Sequence, residues 1–156
     1  MITTTYLKKV LPELKEFEDA DKFVNQFKEG DGYDEIVAIL GNIRSIEFPC
    51  IVLEDRSSGT MGNLLAGPLD RTSIALWIMD QGDRDETEGG STIFKRTFSL
   101  ALEIIKLFIR DKNVEPELAG WDIDHLAYNK RMGGPKCFGY ELVLTFEENI
   151  DLSTDE

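Results

Sequence analysis

The stretch that most constrains this chain is Ile93 to Lys112, IFKRTFSLALEIIKLFIRDK. Polar residues recur at Lys95, Ser99, Glu103, Lys106 and Arg110, in steps of four, four, three and four, which trace one narrow helical stripe. Phe94, Phe98, Leu100, Ala101 and Leu102 lie off that stripe, followed by Ile104, Ile105, Leu107, Phe108 and Ile109. A helix laid on one sheet needs an apolar face of only about 100° or somewhat more. This one is apolar over much more of its circumference, so burial on two sides is expected, by a sheet and by a second element or a neighbouring subunit. Leu100 and Leu107 mark that second side.

The rest of the chain supplies strands to cover it. Phe48 to Glu54, FPCIVLE, reads as a strand with Pro49 near its start. Arg71 to Gln81, RTSIALWIMDQ, is apolar on both faces, with Ile74, Leu76 and Ile78 on one and Ala75, Trp77 and Met79 on the other. That pattern predicts a central strand, or one whose outer face meets a partner. Gly120 to Asn129 reads as a third strand. Phe138 to Glu148 is the fourth, its alternation implying one buried face and one wet face carrying Glu141, Thr145 and Glu147. Residues 4–28 keep helical spacing through Leu7, Val10, Leu11, Leu14, Phe17, Val24 and Phe27, with a break and restart near Pro12. Such a thin amphipathic helix must lie on a partner surface. Glu35 to Ile43 suits a short helix or a strand equally.

Between these, Asp55–Asp70 and the acidic Gly82–Gly90 read as loops, and KRMGGPK as a turn. Ser91 or Thr92 is expected to cap the long helix. The sum is an α+β domain over residues 1–150, with an antiparallel sheet of about four strands in α-β-β-α-β-β order and the long helix 92–112 on one face. Residues 151–156 are an acidic tail, expected to be loose.

A chain of 156 residues fits one domain and buries about 70% of its unfolded surface, so no staple is required. Cys50 and Cys137 both sit in apolar stretches, which predicts buried free thiols and a cytoplasmic setting. No apolar run approaches the roughly 20 residues of a membrane span, and the start MITTTYLKKVLPEL lacks the pattern of a secretory signal. Net charge is −13, from 17 basic and 30 acidic residues. That argues against gripping nucleic acid, which needs clustered Lys and Arg. It is compatible with lining a passage that DNA traverses without sticking, and it serves solubility in any case.

No constellation of catalytic type stands out. Asp122, Asp124 and His125 could suggest a divalent metal, but on a strand the two carboxylates and the imidazole fall on opposite faces. Asp80, Asp83, Asp85, Glu86 and Glu88 lack EF-hand spacing and read as a solvated charge run. Glu54 and Asp55 could join Asp122 in a nuclease-type acidic cluster, without the lysine that would orient a water. Ser57 and Ser58 lack the frame of a nucleophile elbow. Gly89 and Gly90 precede the helix without a P-loop lysine and follow five acids, which repel phosphate. No metal or cofactor is therefore expected. Trp77 and Met79, with Leu100 and Leu107, are instead candidates for contact with another element of the chain or with another subunit.

In its element order the chain resembles the tail-terminator and tail-completion proteins of long-tailed bacteriophages, with their head–tail joining relatives. An N-terminal helix precedes the strand pair FPCIVLED and RTSIALWIMDQ. An acidic loop, the helix IFKRTFSLALEIIKLFIRD and a closing pair ending in FGYELVLTFEENI follow, over roughly residues 5 to 150. The resemblance implies a non-enzymatic virion or prophage protein, assembled in the host cytoplasm, that forms a homo-oligomeric ring, commonly a hexamer. Such a ring caps the tail tube and joins it to head–tail connector proteins. It further implies that the long loops, Met61 in the first of them, touch neighbouring subunits; the acid excess and the lack of a long apolar run separately predict no sequence-specific DNA binding and no membrane contact. Two other readings stay open: a small metal-dependent hydrolase using the acidic residues, and a host adaptor presenting the Trp77 face.

Overall fold

The computed structural model describes residues 2–18, 27–30, 48–62, 69–81, 89–132 and 137–149. Helix α1 (Thr4–Val10) is followed by strands β1 (Phe27–Gly30), β2 (Cys50–Gly62) and β3 (Leu69–Gln81). Helix α2 (Gly89–Asp111), β4 (Ala127–Met132) and β5 (Cys137–Asn149) complete the order. Among the described residues the sheet runs β1-β2-β3-β5-β4. β2, β3, β5 and β4 are antiparallel neighbours, and the short β1 pairs parallel to β2. The fold is α+β, with the long helix on one face of an antiparallel sheet.

That face holds the main core. β2 contributes Ile51 and Leu53, β3 Ile74, Leu76 and Ile78, and β5 Leu142, Leu144 and Phe146. α2 meets them with Leu100, Ala101, Ile104 and Phe108. Thr97 is also buried on this side of α2, at no cost in unsatisfied polarity, because its hydroxyl donates to the Ile93 carbonyl at 2.9 Å.

The second covering element of α2 is the N-terminal segment, which buries Ile2, Tyr6, Leu7, Val10, Leu11, Leu14 and Phe17 in the same core. Each fully buried apolar side chain of this size stabilises the fold by roughly 1.5–3 kcal/mol. Thr3 caps α1, its hydroxyl accepting from the Tyr6 amide at 3.2 Å. Pro12 ends the α-helix by lying at the start of a 3₁₀ turn, Leu11–Glu13, and a second such turn spans Lys15–Phe17. Of the helix expected across residues 4–28, the described residues form a short helix and two turns, with Phe27 and Lys28 in β1; residues 19–26 lie outside the described residues. Extended backbone at Leu14 (φ −87°, ψ 140°) separates the two turns, and both Leu14 and Phe17 are buried.

Polar bonds tie the segment to the far end of α2. The Tyr6 hydroxyl donates to Asp111 Oδ2 at 2.9 Å. Arg110 donates from Nε to Asp111 Oδ1 at 2.8 Å, and its guanidinium spans both carboxylate oxygens of Glu13 at 3.0 and 2.7 Å. Lys9 Nζ lies 2.6 Å from Glu115 Oε1.

Three further expectations change. The stretch 55–62, expected as loop, continues β2: the ladder with β3 shifts register between Asp55 and Gly59 and resumes to Gly62 opposite Leu69. Backbone pairing across such an irregularity tolerates Ser and Gly. The strand expected at 120–129 begins only at Ala127, and Lys130 to Met132, expected as turn, belong to it. Gly120 has φ +79°, which favours glycine, and a Cβ there would collide with the Glu147 carbonyl oxygen. That geometry turns the chain so that Trp121 makes a lone bridge to Phe146. Finally, α2 starts at Gly89, so Ser91 and Thr92 lie inside the helix. Residues 35–43 and 151–156 lie outside the described residues, as does most of the 82–90 loop.

Candidate functional site

The structure places Trp77 and Met79 on the sheet face opposite α2, both fully buried, with Cys50, Val52, Ala75 and Cys137. Phe48 and Val143 pack on this second cluster. Leu100 is buried in the main core and Leu107 packs against it, in the cluster that also holds Leu14 and Phe17. These four side chains therefore form interior packing rather than an exposed apolar face. Met61 lies in β2, where its backbone pairs opposite Asp70. Cys50 and Cys137 are free and buried. Burial, with the neighbouring Asp80 charge, pushes the Cys137 thiol up to about 12, and burial raises Cys50 well above its ordinary value.

The acidic candidates are dispersed. Glu54 sits in β2 opposite Ala75. The Asp122 amide donates to the Thr145 carbonyl at 2.8 Å, beyond β5. With β3 and β5 between them, and a two-residue offset along the strands, the two backbones are more than about 14 Å apart at the usual strand spacing. Because 120–126 is a turn rather than a strand, Asp122 and His125 share a side after all, with His125 Nδ1 at 2.5 Å from Asp122 Oδ2. Arg71 pairs with Glu147 and lies 3.7 Å from Asp122. Asp80 pairs with Arg96 at 3.0 Å. Among the described residues no group of three His, Cys, Asp or Glu is placed to hold a metal ion.

Two features escape sequence reasoning. The first is a buried polar cluster on the Trp77 face. Glu141, expected on a wet face, is only 1% exposed. It accepts from Asn129 Nδ2 at 3.2 Å and from Arg131 at 3.1 Å. The Trp77 indole N–H donates to the buried Glu54 carboxylate at 3.2 Å, and the Arg131 guanidinium lies 5.8 Å from the Trp77 ring centre. Trp77 stands directly opposite Glu141 in the ladder, a register that the one-dimensional pattern does not reveal. The arrangement pairs a buried charge with its counter-charge, which is what a buried carboxylate requires.

The second is an exposed flank. β4 ends the described sheet, and all but one of its residues are exposed. Tyr128 is 59% and Met132 44% exposed. Both share with Lys130 the face turned towards α2. The Tyr128 ring lies 5.6 Å from Phe98, and Lys130 Nζ lies 5.1 Å from the Phe94 ring centre. Continuing from Phe98 at helical spacing, Leu102 and Ile109 are 44% and 48% exposed. Elsewhere, a cavity of about 440 Å³ opens between Pro49, the end of β3 and the polar stripe of α2. Its mixed lining, with Glu16, Asp80 and Glu103 against Lys95 and Arg96, selects no ligand charge.

Among the described residues no helix is long and apolar enough to cross a membrane. No family model matches the chain, and no curated protein matches it.

Proposed function

We propose that this protein is a non-enzymatic structural subunit of the tail-terminator kind. In this reading copies of it assemble into a ring that caps a phage or prophage tail tube and joins it to the head. The observation that carries the reading is the flank of β4 and α2: apolar side chains stay exposed there on a domain whose two cores are already filled. The order helix, antiparallel pair β2 and β3, long helix, antiparallel pair β4 and β5 supports it as a likeness of architecture, with the short parallel β1 as an addition before the first pair. The acid excess, 30 acidic against 17 basic residues, suits a channel wall that DNA passes without adhering.

The test is native mass spectrometry and electron microscopy of the purified protein, alone and mixed with tail tubes. Rings, and density added at one end of the tube, are the expected result. A protein that stays monomeric at micromolar concentration and leaves tubes unchanged would sink the proposal.

A further inference from the structure

We propose that residues 2–17 form a strap that opens from α2 in acid as one unit while the sheet stays folded, and that Arg110, with Asp111, Glu13 and Tyr6, is the latch that holds it closed. The device does not depend on the ring reading.

The backbone hydrogen bonds that Leu7, Leu14 and Phe17 donate stay inside the strap, reaching Thr3, Leu11 and Leu14. Its helix, α1, has only seven residues, too few to be stable in isolation. Seven buried apolar side chains favour docking, but ordering the segment costs free energy of the same order. Neither decides the outcome, so the polar ties weigh heavily, and they gather at one end of α2. Arg110 is the hub there. Its guanidinium spans the Glu13 carboxylate of the strap at 3.0 and 2.7 Å. It also reaches Asp111, at 2.8 Å from Nε and 3.1 Å from Nη2. Asp111 in turn accepts from the Tyr6 hydroxyl of the strap at 2.9 Å, and the Tyr6 ring packs 5.8 Å from that of Phe108. One cation thus closes the strap at two points, and each is strongest with an ionised carboxylate.

The other charges at this end are those of Lys9 on the strap, its partner Glu115, and Glu117 in the field of the same ammonium. The Arg110 guanidinium holds the Glu13 and Asp111 carboxyls below their ordinary 4.5 and 3.8, against burial and against the repulsion of Asp111 on Glu13. A depressed carboxyl contributes stability that is present above its unfolded value and lost as pH falls through its folded one. Two carboxyls on one guanidinium lose it together, so the latch releases below the ordinary carboxyl range and uncovers the side of α2 that carries Phe108.

Hydrogen exchange of the full chain, corrected for the intrinsic rate at each pH, tests the latch. In wild type the Leu7, Leu14 and Phe17 amides are expected to exchange through a smaller opening than the one that releases Ile74 to Met79. Below pH 3.8, the ordinary value of an aspartate, they should lose at least about tenfold of their neutral-pH protection while β3 stays protected. At neutral pH, Arg110→Gln is expected to speed exchange at the three amides by at least about tenfold. Glu13→Gln should do so by about threefold, and neither should change β3. Lys106→Gln breaks the pair with Glu103 on the same helix and should exchange like wild type. If Arg110→Gln fails to fold, Glu13→Gln, at a side chain 50% exposed, carries the test. Strap amides released only together with Ile74 to Met79, at neutral pH and in acid, overturn the proposal. So do latch variants that leave the strap at wild-type rates, or a Lys106→Gln that speeds it as much as they do.

Discussion

Replacing Tyr6 by phenylalanine removes one hydroxyl and almost nothing else, so it isolates the bond that ties α1 to the end of α2. That hydroxyl lies 2.9 Å from Asp111 Oδ2, with both residues buried. A hydrogen bond to a charged group contributes about 1.5–3 kcal/mol. The Asp111 carboxylate keeps its bonds from Arg110 in the variant, so the lower end applies, about 1.5 kcal/mol. For a chain of this length that corresponds to a fall in Tm of about 3–6 °C. Asp111→Ala strands the Tyr6 hydroxyl in the core and is expected to cost about 3 kcal/mol. The double variant should then fall short of the sum of the two by about 1 kcal/mol.

The same bond has a pH signature. The Arg110 guanidinium, and after it the Tyr6 hydroxyl, hold the Asp111 carboxyl below its usual 3.8 against the opposing effect of burial. A depressed carboxyl contributes stability that is fully present above the unfolded value and is lost as pH falls through the folded one. Wild type and Tyr6→Phe should therefore converge in acid, below the range of a free carboxyl. Burial, then the bond to Asp111, pushes the Tyr6 phenol above its usual 10.0. Its contribution is complete below that value and declines as pH rises beyond it, a loss that the phenylalanine variant lacks. Urea melts of the four proteins of the cycle across the pH range measure all of this. A Tyr6→Phe variant within about 0.5 kcal/mol of wild type at neutral pH, or a cycle additive to within about 0.3 kcal/mol, would refute the reasoning.

Gly120→Ala forces a side chain into left-handed backbone and against the Glu147 carbonyl, and should lower stability by about 2 kcal/mol or more in a denaturant titration. Cys50 and Cys137 should resist a thiol reagent at neutral pH until denaturant is added, because burial keeps both protonated; rapid labelling of the native protein would contradict their placement. Glu141→Ala leaves Arg131 and Asn129 without their shared acceptor beneath the second cluster, with an expected loss of about 3 kcal/mol by calorimetry, whereas Glu147→Ala, at the partly exposed end of the same strand face, should cost less than about 1 kcal/mol.

The elements legible in the sequence are those whose periodicity is set by two burying surfaces. The long helix, expected at 92–112, spans Gly89–Asp111, and the strands expected at 71–81 and 138–148 span Leu69–Gln81 and Cys137–Asn149. Where tertiary contacts override local pattern, the reading fails. Residues 55–62 are polar and glycine-rich, yet they pair because β3 continues alongside them. Phe27 and Lys28 fit a helical spacing, yet β2 recruits them into a parallel strand. Trp121 and Ile123 look like strand residues, but the Gly120 turn leaves only one bridge there. The exposed flank was invisible for a related reason. Whether Tyr128 is wet depends on which strand ends the sheet, and that order is a property of the assembled fold.

The central position of β3 has a consequence for how the chain opens and closes. Its neighbours are β2, reached by a hairpin, and β5, which arrives only after α2 and β4. Half of the core ladder thus closes a long loop, an entropic cost that slows folding relative to local pairing. In native-state hydrogen exchange the amides of Ile74 to Met79, sealed on both faces and bonded on both edges, should be released only with global unfolding. Those of β4, held from one side, should exchange through smaller openings, so the exposed end of the described sheet is also the part of it that yields first.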